Sequence, residues 1–288
     1  MTTNPTSRFF TSQRLRLHYL DWGNEQAPLL VLVHGGRDHA HSWDWVAGEL
    51  AREWHVVAPD LRGHGDSAWA PDGHYDMVDF VYDLAELVEH LGASPFALVG
   101  HSLGGNIALR YAGVYPHNIR KLVLIEGLGP SPAKAAAEDA RPMAEVMRSW
   151  IEERRRVLPR KPRSYASLEE AIARMRAANE HLSIEQARHL TVHGVRTHDD
   201  GSLTFKFDPA LAALSPVDFP LAKKQALWAE VACPTLLIYG KQSWASNPEE
   251  DGRAAHFPDA RIILFDRAGH WVQHDRFDAF MQALRLFL

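Results

Sequence analysis

The sequence predicts an α/β fold: a mainly parallel sheet flanked by helices, with an inserted, mainly helical segment. Three observations carry this. Short apolar runs recur, as in Leu29–Val33 (LLVLV), 96–99 (FALV), 122–125 (LVLI) and 235–239 (TLLIY). Strands buried on both faces read this way. Helical stretches alternate with these runs, which implies right-handed crossovers between parallel strands. Between Gly127 and Pro234 the alternation stops, and no parallel strand is evident.

Taken in order, 14–19 (RLRLHY) alternates apolar and polar residues and reads as an antiparallel strand with one wet face. Leu29–Val33 runs into His34-Gly35-Gly36, a buried strand ending in a glycine turn. Residues 55–58 (HVVA) form a strand closed by Pro59-Asp60. Over 75–91, Met77, Phe80, Val81, Leu84, Leu87, Val88 and Leu91 recur at helical spacing, and Gly92 stops the helix. A strand at 96–99 leads to a helix at 103–115, ended by Pro116. Strands follow at 122–125, 235–239 and 261–265 (RIILF), and 275–288 is a closing helix. Inside the break, helical segments fall near 133–157, 167–180, 183–195 and 219–230. Residues 197–207 (THDDGSLTFKF) suggest a hairpin turning at Asp200-Gly201. The expected division is a core of 1–126 and 235–288 and a helical cap of 127–234. The cap would cover the sheet edge where open α/β folds bind ligands.

The bulk properties fit this plan. A chain of 288 residues suits one large domain carrying an insertion. Hydrophobic residues make up 46% and charged residues 23%, ordinary for a globular protein. The formal net charge of -5 gives no case for nucleic-acid binding. The polar start MTTNPTSRFF lacks the apolar stretch of a signal peptide, and no apolar run approaches membrane-spanning length. The expectation is a cytoplasmic monomer or homodimer that acts on a small molecule. The single cysteine, Cys233, precedes Pro234 and a strand, so it reads as packing and not as a nucleophile.

Gly100-His101-Ser102-Leu103-Gly104 matches G-x-S-x-G between an expected strand and an expected helix. A sharp turn there lifts the serine to the top of the sheet. Glycines two positions away on either side let strand and helix approach closely. The helix N-terminus presents N–H groups to developing negative charge.

With His34-Gly35-Gly36, GHSLGG at 100–105, Gly269-His270 after the last strand and the Asp60–Ser67 loop (DLRGHGDS), the chain resembles the α/β-hydrolase family over nearly its whole length. The resemblance implies an eight-stranded, mainly parallel sheet with Ser102 as nucleophile. It implies His270 as the base that takes and returns the serine proton. It places the oxyanion donors on Gly36 and Leu103. An aspartate at the elbow would indicate a dehalogenase or epoxide hydrolase, and Ser102 argues against both.

One departure stands out. The third triad member usually follows the seventh strand, but Ser243 stands at that place, in Tyr239-Gly240-Lys241-Gln242-Ser243. Some family members take their acid from the preceding strand end, where this chain has Glu126. Glu126 is therefore the expected acid, with Asp251 and Asp266 as alternatives. Arg37, Trp43, His101 and Trp271 are expected to border substrate, and Trp150, Trp228 and Trp244 lie in segments that could face the cleft. His39 and His41 read as loop hydrogen-bonding residues, and His270 with His274 lacks the glutamate of H-E-x-x-H, so no metal and no cofactor is expected. The run Glu152–Arg156 reads as a solvated helix face. The function expected is hydrolysis of a small ester or lactone through an acyl-enzyme. The alternatives are a C–C bond hydrolase of ring-cleavage products, or a ligand-binding protein that has lost turnover.

Overall fold

The strand-forming runs gather into one eight-stranded sheet in a computed structural model that describes residues 4–288. In chain order its strands are β1 (Thr6–Ser12), β2 (Leu15–Asp21), β3 (Leu29–Val33), β4 (His55–Pro59), β5 (Phe96–His101) and β6 (Ile119–Ile125). Three short strands of a separate sheet follow, β7 (Ser164–Tyr165), β8 (Val195–Thr197) and β9 (Leu203–Phe205). The large sheet is completed by β10 (Thr235–Gly240) and β11 (Ala260–Phe265), in the order β1-β2-β4-β3-β5-β6-β10-β11. Strands β1 and β2 pair antiparallel, β2 is antiparallel to β4, and the pairs from β4 onward are parallel.

The helices are α1 (Asp44–Leu50), α2 (Met77–Leu91), α3 (Leu103–Val114), α4 (Pro132–Asp139), α5 (Met143–Val157), α6 (Leu168–Ala178), α7 (Ile184–Gly194), α8 (Leu221–Ala229), α9 (Val272–Asp275) and α10 (Phe277–Phe287). Alternate residues of the parallel strands face opposite layers. Leu29, Val31, Leu98, Leu122 and Leu237 pack with α2, α3 and Trp228 of α8. Leu30, Leu32, Val99, Val123 and Ile238 pack with α1 and α10. Two-sided burial explains why these strands are apolar throughout.

Three elements differ from expectation. Strand β1 (TSRFFTS) is an edge strand with one exposed face, so it lacks the apolar signature of its neighbours. The expected helix at 133–157 is two helices. Pro142 sits at the N-cap of α5, where it cannot donate to a continuing helix from α4. The closing helix, expected from residue 275, starts at Phe277 as α10, and Arg276 (φ -134°) separates it from the short α9 before it.

Between β6 and β10 lie α4–α8 and the three-stranded sheet β7-β9-β8, which contains the expected hairpin. Helix α8 packs directly on α3, where a Cβ on Gly113 would lie 2.6 Å from Leu227 O. Cys233 is buried, and burial pushes its thiol up to about 11, as suits a packing residue. Among the described residues no helix is long and apolar enough to cross a membrane.

Candidate active site

Strand β5 ends at His101 and α3 begins at Leu103, which leaves Ser102 alone in the turn. Its backbone is strained, with φ 52° and ψ -115°. Its N–H donates to Ile125 O at 2.8 Å, which ties the elbow to the end of β6. The flanking glycines follow from contact distances. A Cβ on Gly100 would stand 2.4 Å from Gly104 O, and one on Gly104 would stand 2.4 Å from the carbonyl oxygens of Val33 and His34. Leu103 opens α3, so its N–H has no intrahelical partner and points out of the helix N-terminus.

The turn after β3 is held by His34. Its Nδ1–H donates to Gly35 O at 2.7 Å, and its Nε2 accepts from Leu61 N–H at 3.0 Å. That pattern requires the neutral ring, and burial lowers its pKa to about 3. Gly36 follows at the surface of the turn, close to Leu103: a Cβ added to Gly36 would lie 3.8 Å from Leu103 Cδ2. Asp60 fastens the next stretch by accepting from Ala40 N–H at 2.7 Å, Asp66 N–H at 2.8 Å and His18 Nδ1–H at 2.7 Å. Gly65 is required beneath it, because a Cβ there would sit 2.1 Å from the Asp60 carboxyl carbon. Arg62 makes two 2.6 Å bonds to Asp83, anchoring the same loop to α2. These positioning roles lie in motif residues that the sequence identified only as a pattern.

Glu126 ends β6 in a left-handed conformation, φ 50°. Its buried carboxylate accepts from Gly240 N–H at 2.9 Å, from Ser243 Oγ–H at 2.5 Å and from His270 Nδ1–H. A buried carboxylate with three donors is satisfied in place. Ser243, at the position where the family pattern most often has an acid, is a hydrogen-bond donor to Glu126. The two alternative acids are engaged elsewhere. Asp251 pairs with Arg253 and Ser246, and exposed Asp266 pairs with Lys241. No hydrogen bond joins Ser102 Oγ to His270 among the described residues; such contacts commonly tighten only when substrate binds.

Two residues expected to border substrate do not. Trp43 is fully buried among core side chains, because it lies in the helical turn leading into α1 and faces the sheet. His101 is also buried. Its Nε2–H donates to His270 O at 2.9 Å, and burial holds its pKa well below the usual histidine range. It supports the His270 backbone from below. Arg37 and Trp271 do reach open space. A cavity of about 220 Å³ is lined by Gly36, Arg37, Tyr165, Met175, Phe205 and Trp271, among others. A second, of about 360 Å³, adjoins His270, Ser243, Trp244, His181 and Asn179. Trp244 is largely exposed and leans on the His270 ring at 4.7 Å. Trp228, by contrast, is a core residue stacked on Phe257, and Trp150 carries Arg154 over its ring at 5.6 Å.

The Glu152–Arg156 run is only partly a solvated face, since Arg154 donates to Asp72 O at 2.9 Å and to Gly73 O. His39 bonds Leu190 O at 2.8 Å, in line with its loop role. His274 turns away from His270, with its buried ring against Trp45 at 5.6 Å.

Comparisons with known proteins agree with this architecture. A family model described as the alpha/beta hydrolase fold matches residues 28–277. An esterase of Mycobacterium tuberculosis is 30% identical over 92% of this chain and 84% of its own. Epoxide hydrolase 4 of Mus musculus is 29% identical over 92% of this chain and 74% of its own. Among solved structures, a thioesterase domain from the curacin biosynthetic pathway superposes with a TM-score of 0.84 at 23% identity, covering 98% of this chain and 99% of that one. The chain belongs to the alpha/beta hydrolase family.

Proposed function

We propose that this hydrolase cleaves a small ester or lactone through an acyl-enzyme on Ser102. The observation that carries the reading is the bond from His270 Nδ1–H to the buried Glu126 carboxylate, beside a serine held on a strained elbow. Glu126 keeps His270 in the tautomer whose Nε2 is free to accept a proton, and stabilises the imidazolium that forms. The Ser102 hydroxyl loses its proton to His270 as its oxygen attacks the carbonyl carbon. The oxyanion is met by the N–H groups of Gly36 and Leu103. Collapse expels the alcohol, which takes the proton from His270. Water then repeats the sequence in reverse and frees the acid.

The M. tuberculosis relative is named an esterase, which supports the ester reading. The mouse relative is named an epoxide hydrolase. The serine at the elbow favours ester over epoxide, because a serine-linked acyl intermediate forms from a carbonyl. The cavities beside Gly36 and His270, about 220 and 360 Å³, favour a small substrate.

Release of p-nitrophenol from acetate and butyrate esters tests the proposal. Ser102→Ala should remove all turnover above the buffer rate while leaving Tm near that of the parent. Equal rates for the two proteins would sink it.

A further inference from the structure

Away from the hydrolytic site, four side chains from distant parts of the chain converge at one place. His41 and Asp44 lie in the turn and helix that follow His39, and His189 and His193 lie one helical turn apart on α7. Both His41 Nδ1 and His189 Nε2 sit 2.9 Å from the same oxygen, Asp44 Oδ2. His193 stacks on His41 at 3.8 Å between ring centroids and lies 4.6 Å from His189. One ligand atom each from His41, Asp44 and His193 fall within 4.8 Å of one another.

We propose that His41, Asp44 and His193 form a binding site for a divalent transition-metal ion of the zinc class, with His189 holding the Asp44 carboxylate in place. Two imidazole nitrogens and one carboxylate oxygen suit zinc, copper or nickel and not calcium or magnesium. A tetrahedral zinc with bonds of about 2.0–2.1 Å needs ligand atoms about 3.3 Å apart, which modest side-chain rotation supplies. Three protein ligands leave a fourth position for water. The His189–Asp44 bond is the outer contact that ligating carboxylates commonly have. His41, Asp44 and His189 are 20–28% exposed, so an ion can reach them from solvent. On binding, any proton on the His41 nitrogen that faces Asp44 passes to bulk water, and the neutral ring carries its hydrogen on Nε2.

The other group of comparable spacing, His18 with Asp60 and Asp66, does not fit as well. Asp60 there is saturated by Ala40, Asp66 and His18, and the ring of His18 is bonded on both nitrogens. The His41 site also has a mechanical consequence. It joins α7, from the insertion, to the chain that leaves the Gly36 turn, so an ion there clamps insertion to core.

Zinc titration of the purified protein, with a chromophoric indicator in competition, tests the site. The expected result is one reversible zinc per chain, a Tm rise of about 5 °C at a hundredfold excess over Kd, and affinity at least about tenfold weaker in His189→Ala. His193→Ala should lose the site, and His270→Ala should keep it. No binding by the parent, binding unchanged in His193→Ala, or loss in His270→Ala would each overturn the proposal. Should His193→Ala fold poorly, anomalous diffraction from zinc-soaked crystals of the parent decides independently. Zinc must then lie on His41, Asp44 and His193; density confined to His270 refutes the assignment.

Discussion

The sheet core and the segment between β6 and β10 are built by different rules. Strands β3, β5, β6 and β10 are buried from end to end or nearly so, and backbone meets backbone at Gly100, Gly104 and Gly127 with no room for a Cβ. Helices α4, α5 and α6 each bury a single residue. Apart from α8 and the segment before it, which pack Ala210, Leu211 and Trp228 into the core, the insertion meets the core through individual polar contacts and a small apolar patch: Tyr75 to Asp208 at 2.6 Å, His39 to Leu190 O at 2.8 Å, Gln186 to His274 O at 3.0 Å, and Leu182 and Leu190 against Trp45 and Trp271. A close-packed scaffold holds reacting groups to within fractions of an ångström. A loosely joined cover can change shape and lining without disturbing them. Ser102, Glu126 and His270 all hang from the first region, and Tyr165, Met175 and Phe205 line a cavity from the second. Substitutions in the core should therefore change rate for every substrate, and substitutions in the insertion should change ranking among substrates.

The largest effect is expected at Glu126. Glu126→Gln keeps the size of the side chain, and its one oxygen can still accept from Gly240 N–H while its –NH2 faces Ser243 Oγ and His270. It loses the charge that stabilises an imidazolium and the preference for the required tautomer. We expect kcat to fall by about 10³–10⁴ for acetate and butyrate esters alike, with Tm nearly unchanged. A loss below about tenfold would remove Glu126 from the acid role and blur the contrast between the regions.

Next in size is an effect on stability that belongs to the core. Burial holds His34 and His274 at about 3, and His39 and His64 at about 4. All four lie outside the insertion. In the unfolded chain each takes up a proton near 6.5. Between those limits the unfolded state binds more protons, so stability falls as pH drops from about 6.5 toward 4. Asp38 acts in the opposite sense. Burial pushes its carboxyl up to about 7, so the folded state holds an extra proton over part of the same range. His101 and His193 are lowered as well, while Asp83 and Asp275 are raised like Asp38; the histidines outnumber the carboxyls and leave a net loss. Tm should fall by about 10 °C between pH 7 and pH 5, and a flat profile would show that these rings are protonated in the fold.

The contrast between the regions also governs what could be read in advance. Seven of the eight strands of the large sheet are legible: β3, β4, β5, β6 and β10 because burial on both faces leaves a run with little polar interruption, β11 as an apolar run on the far edge, and β2 from its alternation. Strand β1 is not, because its edge position lets polar residues flank the pair Phe9-Phe10 on both sides. The helices of the insertion are legible from periodicity, yet the break at Pro142 is masked, since apolar spacing continues on both sides of it. At the site, the motif gave the turn but not the direction of each side chain. His101 and Trp43 stand beside exposed residues in sequence and face inward in space. The partnership of Ser243 with Glu126 spans 117 positions, and no local pattern encodes it. What could be seen was its shadow, a serine where an acid was expected.

The smallest effect is expected in the insertion, at Met175. This residue lines the cavity that also contains Gly36 and Arg37, and it packs beside Leu182 and Leu190. Met175→Ala should lengthen that cavity while leaving Ser102, Glu126 and His270 untouched. One methylene's worth of fit in an apolar pocket is worth about tenfold or somewhat more. The ratio of kcat/KM for hexanoate over acetate esters should therefore rise by about tenfold, with kcat for acetate unchanged. The ratio is the informative quantity, because a general loosening of the protein would lower both values together. A uniform fall across chain lengths would mean that Met175 serves the scaffold, and that the line between the chemistry of the core and the selectivity of the insertion lies elsewhere.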